Sequence, residues 1–594
     1  MDDFLTGQSI TENAARSGPS ASEWNGLWRG TWGAHPLDDG NFQFAIWAPD
    51  VATGQLRLDG EDHQMTKDAE GFWRWVGPAK PGQHYGFVLD GRLYADPASR
   101  QQADVLDGPS VVIGPPDFYW HPWSGRPFEE AVFLEVHIGT FTKEGTLAAA
   151  TRMLPTLAST GITAIELMPL SHFPGRWGWG YDGSLLGAIH PAYGTPDDLR
   201  RFVDAAHKLE MMVVLDLVLN HFGPDDNYLP SYVPGFFTNE ATPWGHAIDY
   251  AKPQVRALMK DIALRWIAEY HLDGLRLDAV HEIRDPSEPH FLTELVNTMH
   301  ARDWGRPVHL VAEDERNIPD LIEAGFAAQW NDDWHHAFHV LLTGEHSGHL
   351  RTFELHALDD IVRALSHGQV EQGQKREGRE RLRGKPAGHL PWHSFVNANM
   401  SHDQVGNRPW GERQISLLGE PRARFLHALL LVMPFTPLLF QGEEIGSERP
   451  FLFFADYTGE IAANFRAGRI REMYRYGHES EDMADPMAFE TLARSRPYVD
   501  PPLHAPTWRE LTRQALAFRQ ARIVPLLRSG KIGEGDVTLL GPRAVRARWA
   551  FAAGTLEVAF SIGGTPEYDL PEGDPDWRLG QLAKDDFAVE VRIR

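Results

Sequence analysis

The chain has 594 residues, 56 of them basic and 82 acidic, for a formal net charge of −26 at pH 7, and it has no cysteine. Without cysteine there is no disulfide, no thiolate metal site, no iron–sulfur cluster and no thiol nucleophile. An acidic chain is also a poor sequence-independent ligand for nucleic acid. Twenty tryptophans stand against fourteen tyrosines, a surplus that fits a core or flat surfaces on which sugars stack.

Residues 1–24 begin acidic, lack an apolar stretch of the secretory kind and are rich in Ser, Gly and Asn. They predict a disordered lead. From Asn41 come the short alternating runs FQFAIWAP, QLRLDG, FWRWVGP and HYGFVLDG, each punctuated by Gly, Pro or Asp. These predict an N-terminal β-sandwich over 25–116, closed at Gly114-Pro115-Pro116.

Between 117 and 527 strand-like and helical patterns alternate. Thr195-Pro196-Asp197-Asp198 carries an N-cap, a proline at the first helical position and a carboxylate two residues further on. Leu199, Phe202, Val203 and Ala206 follow at helical spacing, then the apolar run Met211–Leu219. The next helix puts Val255, Leu258, Met259, Ile262, Trp266 and Tyr270 on one face. The runs FLEVHIG, ITAIELMPL, MVVLDLVL, GLRLDAV, VHLVAE, AAQWND, SFVNANM and TPLLFQGEE are candidate strands of a parallel sheet. Eight of them suggest a closed barrel. Gly368–Gly388 is polar and basic and reads as a long solvated loop, with an acidic partner for Lys375–Lys385 as the alternative. A capping box at Thr507–Glu510 opens a last helix, and residues 528–594 return to short alternating runs. The prediction is an α/β protein, a (β/α)₈ TIM barrel flanked by an N-terminal β-sandwich and a C-terminal β-sandwich domain. The most apolar stretch, Phe425–Phe440, holds His427 and two prolines and falls short of the roughly 20 residues that span a bilayer. A soluble, cytoplasmic protein with no membrane partner is expected.

The chemistry is signalled by carboxylates at the C-terminal ends of strands, where barrel active sites sit. They are Asp216, Asp278, Glu313 and Asp403, and a carboxylate inside an apolar run is costly unless partnered. Glycoside hydrolysis needs two carboxyls of opposite protonation state across a sugar ring. Arg276, two residues before Asp278, points to the same side of its strand. It suits the cation that keeps a nucleophile ionised, with Glu313 as the acid/base.

Four segments, DLVLNH (Asp216–His221), GLRLDAV, LVAE and Ser401-His402-Asp403, resemble in order the four signature regions of the alpha-amylase superfamily of glycoside hydrolases. GWGYDG (Gly178–Gly183) and FQGEEIG (Phe440–Gly446) resemble two more. Longer segments, among them EVHIGTFTKEGT, QWNDDWHHAFHVLLTGE and SHDQVGNRPWGERQ, resemble the maltooligosyltrehalose trehalohydrolase family within it. The resemblance runs from about Asn41 to near Ser495. It implies a retaining enzyme that cleaves the α-1,4 bond beside a terminal trehalose, acting after a maltooligosyltrehalose synthase on an α-glucan oligosaccharide substrate. Asp278 would form the glycosyl-enzyme, Glu313 would protonate the leaving oxygen and Asp403 would bind sugar hydroxyls. Tyr181 would stack under the sugar with Asp182 nearby, and His221 and His402 would hydrogen-bond it. His281 and Glu282 would line the leaving-group side. Ser401 and Leu219 depart from the Asn and Tyr many relatives carry, which bears on substrate fit.

Other readings compete at single features. Gly178–Gly183 matches G-x-G-x-x-G, but Pro and Gly precede it where a strand is needed, and Trp179 and Tyr181 would crowd a pyrophosphate. His335, His336 and His339 invite a metal reading, yet no HExxH exists in the chain. No cofactor and no metal is expected. Asp216 reads as electrostatic support, and Trp177, Trp179 and Trp244 as stacking platforms or core. The rival functions are a branching or debranching α-glucanase, and a glucan-binding protein with an inactive barrel.

Overall fold

A computed structural model describes residues 27–104, 108–225, 227–377, 379, 381–475, 482–564, 566, 567, 570 and 572–594. The lead predicted over 1–24 lies outside them. The N-terminal runs form two antiparallel sheets. One orders Gly33–Pro36, Phe42–Trp47, Phe72–Gly77 and Thr66–Lys67; the other orders Glu61–Gln64, Gly54–Leu58, His84–Leu89 and Arg92–Tyr94. Phe44, Ile46, Leu56 and Phe87 are completely buried, as alternating apolar strands require of sheets that share a core.

The eight candidate runs are the eight strands of a closed parallel barrel: β1 (Phe133–Val136), β2 (Ala164–Leu167), β3 (Met212–Leu217), β4 (Gly274–Leu277), β5 (His309–Ala312), β6 (Ala328–Trp330), β7 (Phe395–Ala398) and β8 (Thr436–Phe440). The barrel closes because β1 pairs with both β2 and β8. Helix Pro196–Lys208 starts on the predicted N-cap and first-turn carboxylate, which close a capping box, Thr195 accepting from the Asp198 N–H and Asp198 from that of Thr195. Helix Pro253–Tyr270 buries the predicted face.

Strand periodicity sorts the barrel interior into layers. Phe133, Ala164, Met212, Val214, Val311, Ala328, Val396 and Leu438 form one apolar cluster. The register then lifts Glu135 and Glu166 to one level, and Asp216 beside Arg276 to the next. These four are almost wholly buried, so the upper interior is charged where the lower is apolar.

The N-terminal sandwich docks on helix Pro253–Tyr270. Arg100 pairs with Glu269 at 2.7 Å, both buried, and the Trp28 indole donates to Asp261 at 2.9 Å. At the other end Lys531–Gly541, Ala544–Phe551, Gly554–Ile562, Phe587–Ile593 and Trp577–Leu579 make one five-stranded antiparallel sheet. Its buried Trp549 donates to the Leu365 carbonyl of helix Ala357–His367 at 2.9 Å.

Two expectations are corrected. The stretch Gly368–Gly388 is only in part a solvated loop: Lys375 and Arg381 are exposed, while Arg376, Arg379, Arg383 and Lys385 are tied to the chain's own carboxylates. Arg376 grips Asp360 at 2.6 and 2.7 Å, Arg383 bonds Glu371 at 2.6 Å and Asp333 at 3.0 Å, and Lys385 bonds Asp320. Thr507–Glu510 is not a capping box. The helix there is already under way from Ala505 with Pro506 in its first turn, and Thr507 donates back to the His504 carbonyl while Glu510 pairs with Arg513. Among the described residues no helix is long and apolar enough to cross a membrane.

Candidate active site

The C-terminal ends of β3, β4 and β5 converge on Arg276. Its Nη1 donates to both oxygens of Asp216, at 2.9 and 2.8 Å, and to Asp278 Oδ1 at 2.8 Å. Nη2 lies 2.7 Å from Glu313 Oε2. The guanidinium is fully buried and lies 4.2 Å above the Trp330 ring, a face that favours a cation. The sequence placed Arg276 beside Asp278; the fold adds that the same group holds Asp216 and Glu313.

Asp278 follows β4 and Glu313 follows β5, so their side chains enter the same mouth. The Glu313 carboxyl also accepts from the backbone N–H of Ala279 at 2.9 Å, and Ala279 adopts a left-handed φ of +39° at the turn after Asp278. Such strain in a non-glycine residue is held in place by its surroundings. Burial and the Glu313 charge push the Asp278 carboxyl well above the usual range, and Arg276 pulls against them. Two carboxyls this close resist ionising together.

Asp403 is the second residue of the short helix His402–Gly406, capped by Ser401, whose side chain accepts from the Asp403 N–H. Its side chain is 41% exposed, the most open of the three candidate catalytic carboxyls. Enclosure would raise it, but the neighbouring His402 holds it down to about 2. His402 is buried, with Nε2 3.3 Å from Asp403 Oδ1 and Nδ1 hydrogen-bonded to Glu135. The Tyr181 ring stacks on His402, centroids 4.9 Å apart, and its hydroxyl donates to Asp216 at 2.6 Å.

His221 differs from His402. Its Nε2 lies 3.0 Å from the Tyr181 carbonyl, Nδ1 meets Asn220, and Trp244 stacks on the ring at 4.6 Å. Burial drives it down to about 4, against that carbonyl's pull, so it is neutral. Trp244 is 44% exposed and stays free to carry a ligand on its outer face, whereas Trp179 is core, its indole donating to the Leu452 carbonyl. Asp182 turns from the Arg276 cluster. Burial pushes it up to about 6, against a hydrogen bond from Tyr457. His281 and Glu282 sit in the turn after Asp278, one near Glu315 at 3.7 Å, the other bonded to Arg284 at 2.8 Å.

The histidines of helix Asp332–Thr343 lie against one another, His335 and His339 tilted at 5.0 Å and His335 and His336 edge-on at 5.5 Å. Among the described residues no group has metal-site geometry. Gly178–Gly183 is loop rather than the strand-to-helix turn a dinucleotide needs. Residues the sequence reading passed over also border the site: Glu135, Glu166, Trp330 and Asp332. Glu135 and Glu166 sit inside apolar runs as Asp216 does, so the same signal could have found them. Asp332 joins through Gln404, which donates to it at 3.0 Å. Burial, Glu313 and Asp403 raise Asp332 to about 7.

The family model of the alpha-amylase catalytic domain matches residues 123–235 and 235–509, so barrel and rim belong to that class of glycoside hydrolases. A Deinococcus radiodurans protein named malto-oligosyltrehalose trehalohydrolase is 41% identical over 472 residues, 78% of each chain. A Mycobacterium tuberculosis protein of the same name is 38% identical over 76% of this chain and 81% of its own. A crystal structure from Salmonella typhimurium, described as a candidate alpha amylase, superposes with a TM-score of 0.91 at 41% identity, over 95% of this chain and all of that one. The chain belongs to the alpha-amylase family, in its malto-oligosyltrehalose trehalohydrolase branch.

Proposed function

We propose that the chain is a 4-α-D-{(1→4)-α-D-glucano}trehalose trehalohydrolase, cleaving the α-1,4 bond beside the terminal trehalose of maltooligosyltrehalose to release trehalose and a maltooligosaccharide. The observation that carries the chemistry is the single buried guanidinium joining Asp278 and Glu313 on adjacent strand ends; the relatives' shared name supports the substrate. The reaction needs one proton on this pair. With it on Glu313, Asp278 is the charged partner of Arg276 and attacks the anomeric carbon, while Glu313 gives its proton to the departing trehalose oxygen. Glu313, now ionised, takes a proton from water, which displaces Asp278 and regenerates the acid. Acid–base help of this kind contributes about 10²–10⁴-fold.

Asp403 binds hydroxyls of the attacked sugar, Tyr181 stacks beneath it and His402 hydrogen-bonds it, while His221, its ring nitrogens spent on the Tyr181 carbonyl and Asn220, holds the Tyr181 loop in place rather than the sugar. Asp182 supports the Tyr181 loop, and His281 and Glu282 line the leaving-group side. The enzyme works in the cytoplasm after a synthase that turns the reducing end into trehalose, without cofactor or nucleic acid. Its units are a sandwich over 25–116, the barrel over 117–527 and a C-terminal β domain over 528–594.

Product analysis tests this. Maltooligosyltrehalose, maltooligosaccharide and amylopectin are each incubated with the enzyme, and early products are resolved by NMR. Free trehalose with a new reducing end in the α-anomeric form is the expected result. New branch points, equal attack on plain maltooligosaccharide, or a β-anomer formed first would overturn the reading.

A further inference from the structure

His402 has an acceptor carboxylate at each ring nitrogen. Nδ1 is hydrogen-bonded to Glu135 Oε1, and Nε2 faces Asp403 Oδ1 at 3.3 Å. The second Glu135 oxygen accepts the His402 backbone N–H at 3.0 Å, so one buried carboxylate fixes the backbone and ring together. A neutral imidazole would turn a lone pair toward one of these carboxylates; only the doubly protonated ring satisfies both. His402 is 2% exposed and Glu135 1%, so water cannot substitute for the Nδ1 contact.

We propose that Glu135 is a positioning residue that keeps His402 a standing imidazolium, with the Nδ1–H spent on Glu135 and the Nε2–H directed at Asp403 and the sugar. This rests on the site being the hydrolase site proposed above. Every element around the ring agrees. From β1 and its end come Glu135 and His137, and His137 is held neutral, down to about 4, by burial. From β2 comes Glu166, in register with Glu135, and neither Glu166 oxygen has a hydrogen-bond partner among the described residues. Burial and Glu135 push it well up, so it is held neutral beside Glu135. From the loop after β2 comes Tyr181, whose hydroxyl proton goes to Asp216 of β3 at 2.6 Å, leaving its oxygen 3.4 Å from His402 Nδ1 as a second acceptor there, and Arg276 of β4 is occupied by Asp216, Asp278 and Glu313. Burial disfavours the imidazolium, but Asp403 and Glu135 outweigh it and hold His402 well above its ordinary value. The site thus carries two permanent cations, one beneath the nucleophile and one beside Asp403.

The sign follows. A histidine whose value is raised keeps its proton as pH rises, so removing the Glu135 charge brings its loss into the working range. In the Glu135→Gln enzyme the loss of kcat/KM for trehalose release grows with pH, falling about tenfold per unit on the alkaline side once His402 gives up its proton. Glu135→Asp, which keeps the charge, restores the wild-type profile shape. A loss that is uniform from pH 5 to 9, or an identical defect in both variants, would show a merely structural role. Neutron diffraction of the wild-type protein at pH 8.5 decides the matter even if Glu135→Gln does not fold: deuterium on both His402 nitrogens is expected, and deuterium on one overturns the proposal. A wild type that releases no trehalose sinks the function instead, and leaves the neutron result standing.

Discussion

The lower and upper halves of the barrel interior are lined by alternate residues of the same strands and filled by opposite means. Below, Phe133, Met212, Val214, Val396 and Leu438 exclude water and hold the strands by apolar packing. Two residues further along, Glu135, Glu166 and Asp216 occupy equivalent inward positions, with Arg276 beside Asp216, almost as completely buried. A buried charge is tolerated only with partners, so the upper half is held by Arg276 and His402 and by the carboxylates around them. One half secures the fold, and the other accepts an electrostatic burden to prepare a reaction.

That division can be broken from either side. The largest effect belongs to Asp278→Asn, which should lower kcat by about 10⁴-fold or more while leaving the melting transition intact; near-normal turnover would remove Asp278 from the nucleophile's place. Next, Arg276→Leu leaves Asp216, Asp278 and Glu313 without their cation and should cost about 3–5 kcal/mol of stability together with activity, read by urea unfolding and by initial rates. Met212→Ala, in the apolar half, should cost about 2–5 kcal/mol, yet the molecules that remain folded should keep their kcat. If Met212→Ala lowers kcat as Arg276→Leu does, the two halves are not separable.

The smallest effect concerns Asp182. Its folded carboxyl titrates near 6 because it is buried, while the unfolded chain titrates near 4. The native state therefore binds more protons in that interval, and stability is lost as pH rises through it. Asp182→Asn removes that loss, so its melting temperature relative to wild type should improve from pH 4 to pH 7. A difference constant with pH would contradict the burial.

All eight strands were legible because parallel strands buried on both faces read as continuous apolar runs, with Asp278 and Glu313 as conspicuous interruptions. Arg276 was legible beside Asp278, being two residues away on one strand, but its grip on Asp216 and Glu313 depends on which strands become neighbours. The stretch Gly368–Gly388 misled for the same reason: local charge cannot show that Arg376 and Arg383 meet Asp360, Asp333 and Glu371. At Thr507 the pattern of a cap was present, but His504-Ala505-Pro506 had already started the helix. Glu135 and Glu166 were visible as carboxylates in apolar runs; what they face was not.

The Arg100–Glu269 pair has a consequence for modularity. Glu269 closes the helix that leads into β4, the strand carrying Arg276 and ending at Asp278. A barrel freed of its sandwich would retain that carboxylate, stripped of its counterion, on the element that feeds the reaction centre. The sandwich is therefore an internal strut of the catalytic unit, to be transferred or deleted only together with the barrel it braces.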